Sequence, residues 1–291
     1  MQEIKENKKY LTDQIITYLG NKRSLIKYIE REVKNIQKKL GTTKTRNLDL
    51  FSGSGIVARM LKKYSSELIV NDLEEYSKII NSAYLSNYSD IDWSEYDKYY
   101  NQVIKRIESG NLIKGIISKN YAPQNDKNIK HGERVFYTTR NANIIDTVRE
   151  EIDLFPEPYK TLFLAQLLSE ASVKNNTAGV FKGFYKDSST GIGKYGGNGE
   201  YALRRIKGEI KILKPILSNF ECEYKVYKED SNELVSRLKE LDIVYIDPPY
   251  NQHPYGSNYF MLNLIVSNEQ PKQVSKVSGI PRDWNKSAYN V

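Results

Sequence analysis

The sequence predicts an α/β protein built on a parallel sheet, and three stretches carry that expectation. An apolar segment, Arg46-Asn47-Leu48-Asp49-Leu50-Phe51, runs into the turn Ser52-Gly53-Ser54-Gly55 and then into a helical stretch. A second apolar segment, Glu67-Leu68-Ile69-Val70-Asn71-Asp72, follows that helix and ends on an acid. A third, Asp242-Ile243-Val244-Tyr245-Ile246, stops at Asp247-Pro248-Pro249-Tyr250. Continuous apolar runs are what strands of a buried parallel sheet look like, and strand, glycine turn, helix and strand make a β-α-β unit.

The elements follow in order. Leu25, Ile26, Ile29, Val33, Ile36 and Leu40 recur at helical spacing, which predicts an amphipathic helix over 24–40. After the first strand and its turn, Val57, Met60 and Leu61 share one face of a helix over 56–64. The region 82–200 differs in character: it holds helices over 143–154 and 158–173 and a glycine-rich basic stretch from Lys182 to Gly197. That stretch has little apolar periodicity and reads as a mobile loop or an inserted lobe. A helix near 200–213, a strand near 222–228 and a helix near 231–240 lead to the strand before Asp247, and 258–267 reads as helical.

Composition narrows the classes. The chain has 291 residues, 39% hydrophobic and 27% charged, which suits a soluble globular protein. No stretch approaches the ~18 apolar residues of a membrane span. The charged start, Gln2-Glu3-Ile4-Lys5-Glu6, lacks the apolar centre of a signal peptide, so the cytoplasm is the expected location. One cysteine, Cys222, and two histidines, His131 and His253, argue against a disulfide and against a cysteine or histidine metal site. The net charge of +8 favours polyanions but is weak on its own.

Two prolines end a central strand, so Asp247 and Tyr250 stand on a rigid turn at a strand's carboxyl end, where open α/β sheets place their chemistry. A polar cap on a strand-ending turn is the plain alternative. The turn at Gly53 and Gly55 lacks the third glycine of the full dinucleotide fingerprint. Its use would be close backbone approach to a ligand, with free N–H groups at the following helix start. Asp72 lies 19 residues after Gly53, at the end of the next strand, the place of a ribose-hydroxyl acceptor, so an adenosine cofactor fits. No Gly-Lys-Ser/Thr phosphate loop occurs.

With Tyr18-Leu19-Gly20-Asn21-Lys22-Arg23 upstream, these motifs resemble in type and order the S-adenosylmethionine-dependent adenine-N6 DNA methyltransferases. The closest likeness is to the group, including adenine methylases of bacterial restriction–modification systems, whose target-recognition region lies between the cofactor and catalytic halves. The resemblance implies a Rossmann-like methyltransferase sheet with an inserted, mostly helical recognition region. Residues 1–81 and 201–291 would form the catalytic domain and 82–200 the DNA reader. It implies S-adenosyl-L-methionine as methyl donor, no metal, and double-stranded DNA as partner. Asp247, Pro248, Pro249 and Tyr250 would be catalytic. Tyr18, Gly20, Lys22, Asp49, Phe51, Gly53, Gly55, Asp72, Asp230 and Asp247 would line the cofactor, with Lys22 alternatively on DNA and Asp230 alternatively a helix cap. In the reader, Lys174, Lys182, Lys186, Lys194, Arg204 and Arg205 offer phosphate contacts, and Asn175, Asn176 and Tyr185 base contacts, each with a solvated surface role as the alternative.

The chain departs from the family pattern after the catalytic strand. Only 41 residues follow Tyr250, with one helix and no convincing further strand. The expectation is a sheet lacking its C-terminal strands, with an exposed apolar edge. A truncated product, a fragment, or a split enzyme completed by a second chain would each explain it, and such a chain alone should methylate poorly. An RNA or protein-amide methyltransferase and a noncatalytic DNA-binding remnant are the competing functions.

Overall fold

The structure is a computed structural model describing residues 4–196, 199–250 and 254–290. Gly197, the end of the glycine-rich stretch, lies outside the described residues. The chain divides into two compact units, one from Met1–Asp92, Lys214–Gln252 and Ser287–Val291, the other from Trp93–Leu213 and His253–Lys286.

The first unit is a parallel α/β sheet. Strands β1 (Thr45–Asp49), β2 (Ser65–Asp72), β3 (Glu223–Lys228) and β4 (Ile243–Tyr245) stand in the order β3-β2-β1-β4, every neighbouring pair parallel. Side chains alternate across the sheet, so each strand feeds two cores. Leu68 and Val70 of β2 face the cluster with helices α2 (Ile26–Leu40) and α3 (Ile56–Lys62), which contribute Ile26, Val33, Val57 and Met60. Ile69 of β2 and Leu48 of β1 face the opposite cluster, closed by Leu234 of helix α10 (Ser231–Arg237). A short helix α1 (Lys8–Thr12) and helix α4 (Glu75–Leu85) complete the unit. Helix α2 ends where the sequence predicts, at Gly41, whose φ of 69° gives the left-handed cap.

The order decides where a ligand goes. The chain builds outward from β1 through β2 to β3, then returns to place β4 on the other flank of β1. Outside the carboxyl ends of β1 and β4 lies the switch point at which open parallel sheets bind ligands. Among the described residues β4 is an edge strand, and Val244 and Ile246 are 40% and 62% exposed, as the apolar edge was expected to be.

The second unit is helical: α5 (Trp93–Glu108), α6 (Ile116–Tyr121), α7 (Thr139–Asp153), α8 (Tyr159–Val173), α9 (Glu200–Lys207), α11 (Tyr255–Asn258) and α12 (Phe260–Ser267). Aromatic rings fill its core: Tyr96 stacks on Phe163 at 4.7 Å, and Phe136, Phe181 and Phe260 meet at 6.0 to 6.4 Å. Buried charge is spent on helix ends. Asp146 accepts the N–H groups of Gly115, Ile117 and Ser118 at 2.8 to 2.9 Å, and Arg149 donates to the last carbonyls of α12, Ile265 and Val266. The glycine-rich stretch forms a hairpin: Lys186 bridges Gly193, and Asp187 organises the tip by accepting from Ser189 and Thr190.

One expectation is corrected. The helix near 200–213 ends at Lys207, because Gly208 turns extended and Ile210 and Ile212 are then buried alternately with exposed Lys211. Helices α4 and α5 bury tyrosines beside their aliphatic residues: Tyr76, Tyr84 and Tyr96 are at most 5% exposed, and Ile80 and Val103 are fully buried with them. Leu85 packs in the sheet-side core, whereas Ile210 N–H bonds Asn141 and α12 packs on α8, so 82–92 go with the sheet and 201–213 and 254–286 with the helices.

Candidate active site at the strand ends

The core-side row of β1 is polar, and among the described residues its last member is the one whose side chain makes no hydrogen bond. Thr45 receives Gln37 at 3.0 Å and Asn47 donates to Ser65 at 2.8 Å. Asp49 is 1% exposed, and neither carboxylate oxygen has a hydrogen-bond partner among the described residues. A buried, unpaired carboxylate is costly. Burial, with the charges of Asp72 and Asp247, pushes its pKa up to about 8, while the nearby amides of Ala58 and Phe51 pull the other way without forming bonds of good geometry. Such a group is shaped for a cationic partner.

The glycine turn closes over this acid. Gly53 has φ 51° and Gly55 has φ 75°, the left-handed region that glycine adopts freely. Space forbids larger residues as well: a Cβ on Gly53 would stand 2.7 Å from the Tyr18 ring, and one on Gly55 would stand 2.5 Å from Asn81 Oδ1. The turn is pinned from below, since Ser77 donates to the Gly53 carbonyl at 2.7 Å and Asn81 to Ser52 at 3.0 Å. The N–H groups of the two glycines are already bonded within the protein. Gly53 donates to Asp72 Oδ2 at 2.7 Å and Gly55 to the Ser52 carbonyl at 2.8 Å. The turn therefore offers close backbone approach rather than glycine donors.

Asp72, at the end of β2, is half-buried and also accepts Glu74 N–H at 2.9 Å. Burial raises its pKa, and these amides oppose the rise. Asn71 beside it links the strand ends: it donates to the Leu50 and Glu229 carbonyls and accepts Glu229 N–H at 3.1 Å. That fixes the segment carrying Asp230, which caps α10 by accepting Asn232 N–H at 2.8 Å. Phe51 meets Tyr289 edge-on at 5.3 Å, and Tyr289 donates to Asn232 at 2.7 Å.

Residues 18–23 lie on the same side. Tyr18 contacts the Gly53 turn as above and meets Tyr76 edge-on at 6.4 Å. Asn21 reaches Ser54 at 3.4 Å. Gly20, with φ 74°, lets the loop double back, and its carbonyl accepts Lys22 Nζ at 3.0 Å. At the end of β4, Asp247 pairs with Lys22 at 2.7 Å, and the same ammonium lies 5.5 Å from the centre of the Tyr250 ring. Tyr250 is 67% exposed. The first unit thus gathers the site residues read from the sequence onto three neighbouring strand ends, the Asp230 turn and one N-terminal loop. Sequence reasoning missed Asn71, Ser77, Asn81 and Tyr289. Ser77 and Asn81 stand four apart on the helix after Asp72, a spacing that puts both under the turn; nothing local marks Tyr289.

In the helical unit the basic residues separate by exposure. Lys186, Lys194, Arg204 and Lys207 are exposed. Arg205 is turned inward, donating to the Val173 and Asn175 carbonyls. Asn175 and Asn176 are 3% and 0% exposed and bond to backbone, Asn176 to the Val135 and Lys194 carbonyls at 2.8 Å. Both are thus engaged within the protein rather than presented for base contacts: Asn175 closes the end of α8 on the Ala171 and Ser172 carbonyls, and Asn176 ties down the hairpin.

Comparison with known proteins agrees with this arrangement. The chain is 29% identical over 281 residues to Type II methyltransferase M.NlaIII of Neisseria lactamica, covering 94% of this chain and 75% of that protein. It is 30% identical over 283 residues to Type II methyltransferase M.CviAII of Paramecium bursaria Chlorella virus 1, with the same coverage. Modification methylase StsI of Streptococcus sanguinis is 26% identical over 286 residues, 94% of this chain and 39% of its own length. The family profile of the D12 class N6 adenine-specific DNA methyltransferases matches residues 18–285, from Tyr18 through the Asp247-Pro248-Pro249-Tyr250 turn and beyond, and the chain belongs to that family.

Proposed function

We propose that this chain transfers the methyl group of S-adenosylmethionine to N6 of an adenine turned out of duplex DNA, as the modification enzyme of a cytoplasmic restriction–modification system. The observation that carries the reading is the placement of Asp247 and the exposed Tyr250 at the end of β4, beside the strand whose buried Asp49 has no partner. The site fits the donor. Asp49 offers a buried carboxyl without a partner that ionises against a cationic group, Asp72 has acceptor capacity for ribose hydroxyls, and Phe51 and the Gly53 backbone give a close, apolar wall. Tyr18, Gly20 and Gly55 shape the opening, and Asp230 retains acceptor capacity beyond its capping bonds for an adenine amine. The donor supplies an electrophilic methyl group.

The protein's own groups supply the rest. The N6 lone pair of adenine is delocalised into the ring, so the amine is a poor nucleophile. Asp247 accepts one N6–H and the Pro248 carbonyl the other, favouring a pyramidal nitrogen and stabilising the positive charge that develops on it. Pro249 fixes the turn. Tyr250 stacks on a base that would be unreachable within the duplex. The helical unit reads DNA through its exposed basic hairpin and α9.

Asp247→Ala tests this. Methyl transfer from labelled donor to duplex DNA falls by about 100-fold or more, while donor affinity stays within a few-fold in a binding titration. Near-normal turnover in that variant would sink the assignment.

A further inference from the structure

We propose that Lys22 is a placeholder for the target adenine, an ammonium that occupies both partners of the base until the base displaces it. This rests on the assignment of Asp247 and Tyr250 above. Lys22 Nζ makes the two interactions assigned to the flipped ring, a charged hydrogen bond to Asp247 Oδ2 at 2.7 Å and a cation–π contact 5.5 Å from the Tyr250 centroid. It is not a loose surface lysine. Its side chain is 18% exposed, and the Gly20 carbonyl, presented by a left-handed glycine two residues back, holds the ammonium at 3.0 Å.

The chemistry requires the exchange. Adenine N6 must give a proton-bearing hydrogen bond to Asp247, and its ring must lie on Tyr250, so the ammonium and the base compete for the same atoms. An ammonium left on Asp247 would also oppose the positive charge that grows on N6 during transfer, because like charges at contact repel most strongly in a dry site. While the pocket awaits a base, the same ammonium pairs the Asp247 carboxylate, which would otherwise be a half-buried charge without a partner. Lys22 is therefore a positioning residue with a specific cost: each adenine that enters must displace the ion pair.

The cost shows as selectivity for the N6 amine. Two duplexes are compared, one with adenine at the target position and one with purine, which lacks the amine; the position is found by mapping methylated product. Affinities are measured by fluorescence anisotropy with the demethylated donor, S-adenosylhomocysteine, bound. In Lys22→Met the unpaired Asp247 is open to the amine, so the preference for adenine over purine rises by about two- to fivefold, the range of a partly exposed ion pair. Lys22→Arg, which can still pair with Asp247, keeps the wild-type preference. A thermal unfolding midpoint matching that of the wild type shows that each variant has kept its fold. An unchanged preference in Lys22→Met overturns the proposal, as does a fall. Asp247→Ala separates the two levels. Loss of both turnover and adenine preference in that variant, with an unchanged Lys22→Met, refutes the placeholder alone. Retention of both refutes the Asp247 assignment beneath it.

Discussion

Asp49 shows how one residue can be legible in kind and illegible in state. Its place before a glycine turn is plain in the sequence, and its lack of any partner is not, because the partners of Thr45 and Asn47 come from residues up to 19 positions away. The state has a pH signature. A carboxyl whose folded pKa is raised to about 8 favours the fold at low pH and loses that contribution as pH rises through that value, since the folded state holds the proton longer than the unfolded one. A cationic donor prefers the ionised acid, so binding releases a proton. Donor affinity should climb with pH by up to about tenfold per unit and level off above about 8. Asp49→Asn should bind weakly and without that slope. Calorimetry in buffers of different ionisation enthalpy checks the proton release; equal heats across buffers would refute it.

At the scale of elements, strands and caps were written locally and lengths were not. β2 falls on a continuous apolar run, Leu68-Ile69-Val70, because a central parallel strand is buried on both faces, whereas the edge strand β3 alternates Tyr224 and Val226 with exposed Glu223 and Lys225. α9 stops early because Gly208 admits an extended chain, and the buried faces of α4 and α5 mix tyrosines with aliphatic residues, which blurs a pattern read from aliphatic spacing. The turn between β1 and α3 is the most constrained of these pieces. Gly55→Ala adds a Cβ at φ 75°, 2.5 Å from Asn81 Oδ1, and Asn81 is the residue that anchors Ser52. The expected loss is about 2 to 4 kcal/mol in urea unfolding, with weaker donor binding in the variant that remains folded. A loss below about 0.5 kcal/mol, the scale of an indifferent surface change, would show that the turn can relax.

For the whole molecule, charge and composition pointed to a polyanion without saying which cations meet it. The fold sorts them: Arg205 is committed to backbone carbonyls, whereas Arg204 and Lys207 of α9 are exposed. Replacing Arg204 and Lys207 together by Ala should weaken DNA binding and reduce the slope of log affinity against log salt by about 1 to 2, with donor affinity unchanged. An unaltered slope would remove α9 from the interface. The sequence by itself determined the chemistry. A strand that must stop at two prolines, a turn that only glycine can make, and an acid one strand further on are local necessities, and they name the family before any fold is built. Tertiary structure alone decided the occupancy and the commitments. Lys22 lies on Asp247 across more than two hundred residues, Asn175 and Asn176 are consumed by backbone carbonyls, and Tyr289 rests on Phe51. Those pairings depend on which strand ends and loops the sheet order brings together, and a linear pattern carries no record of the partner that a polar group finds once water is excluded.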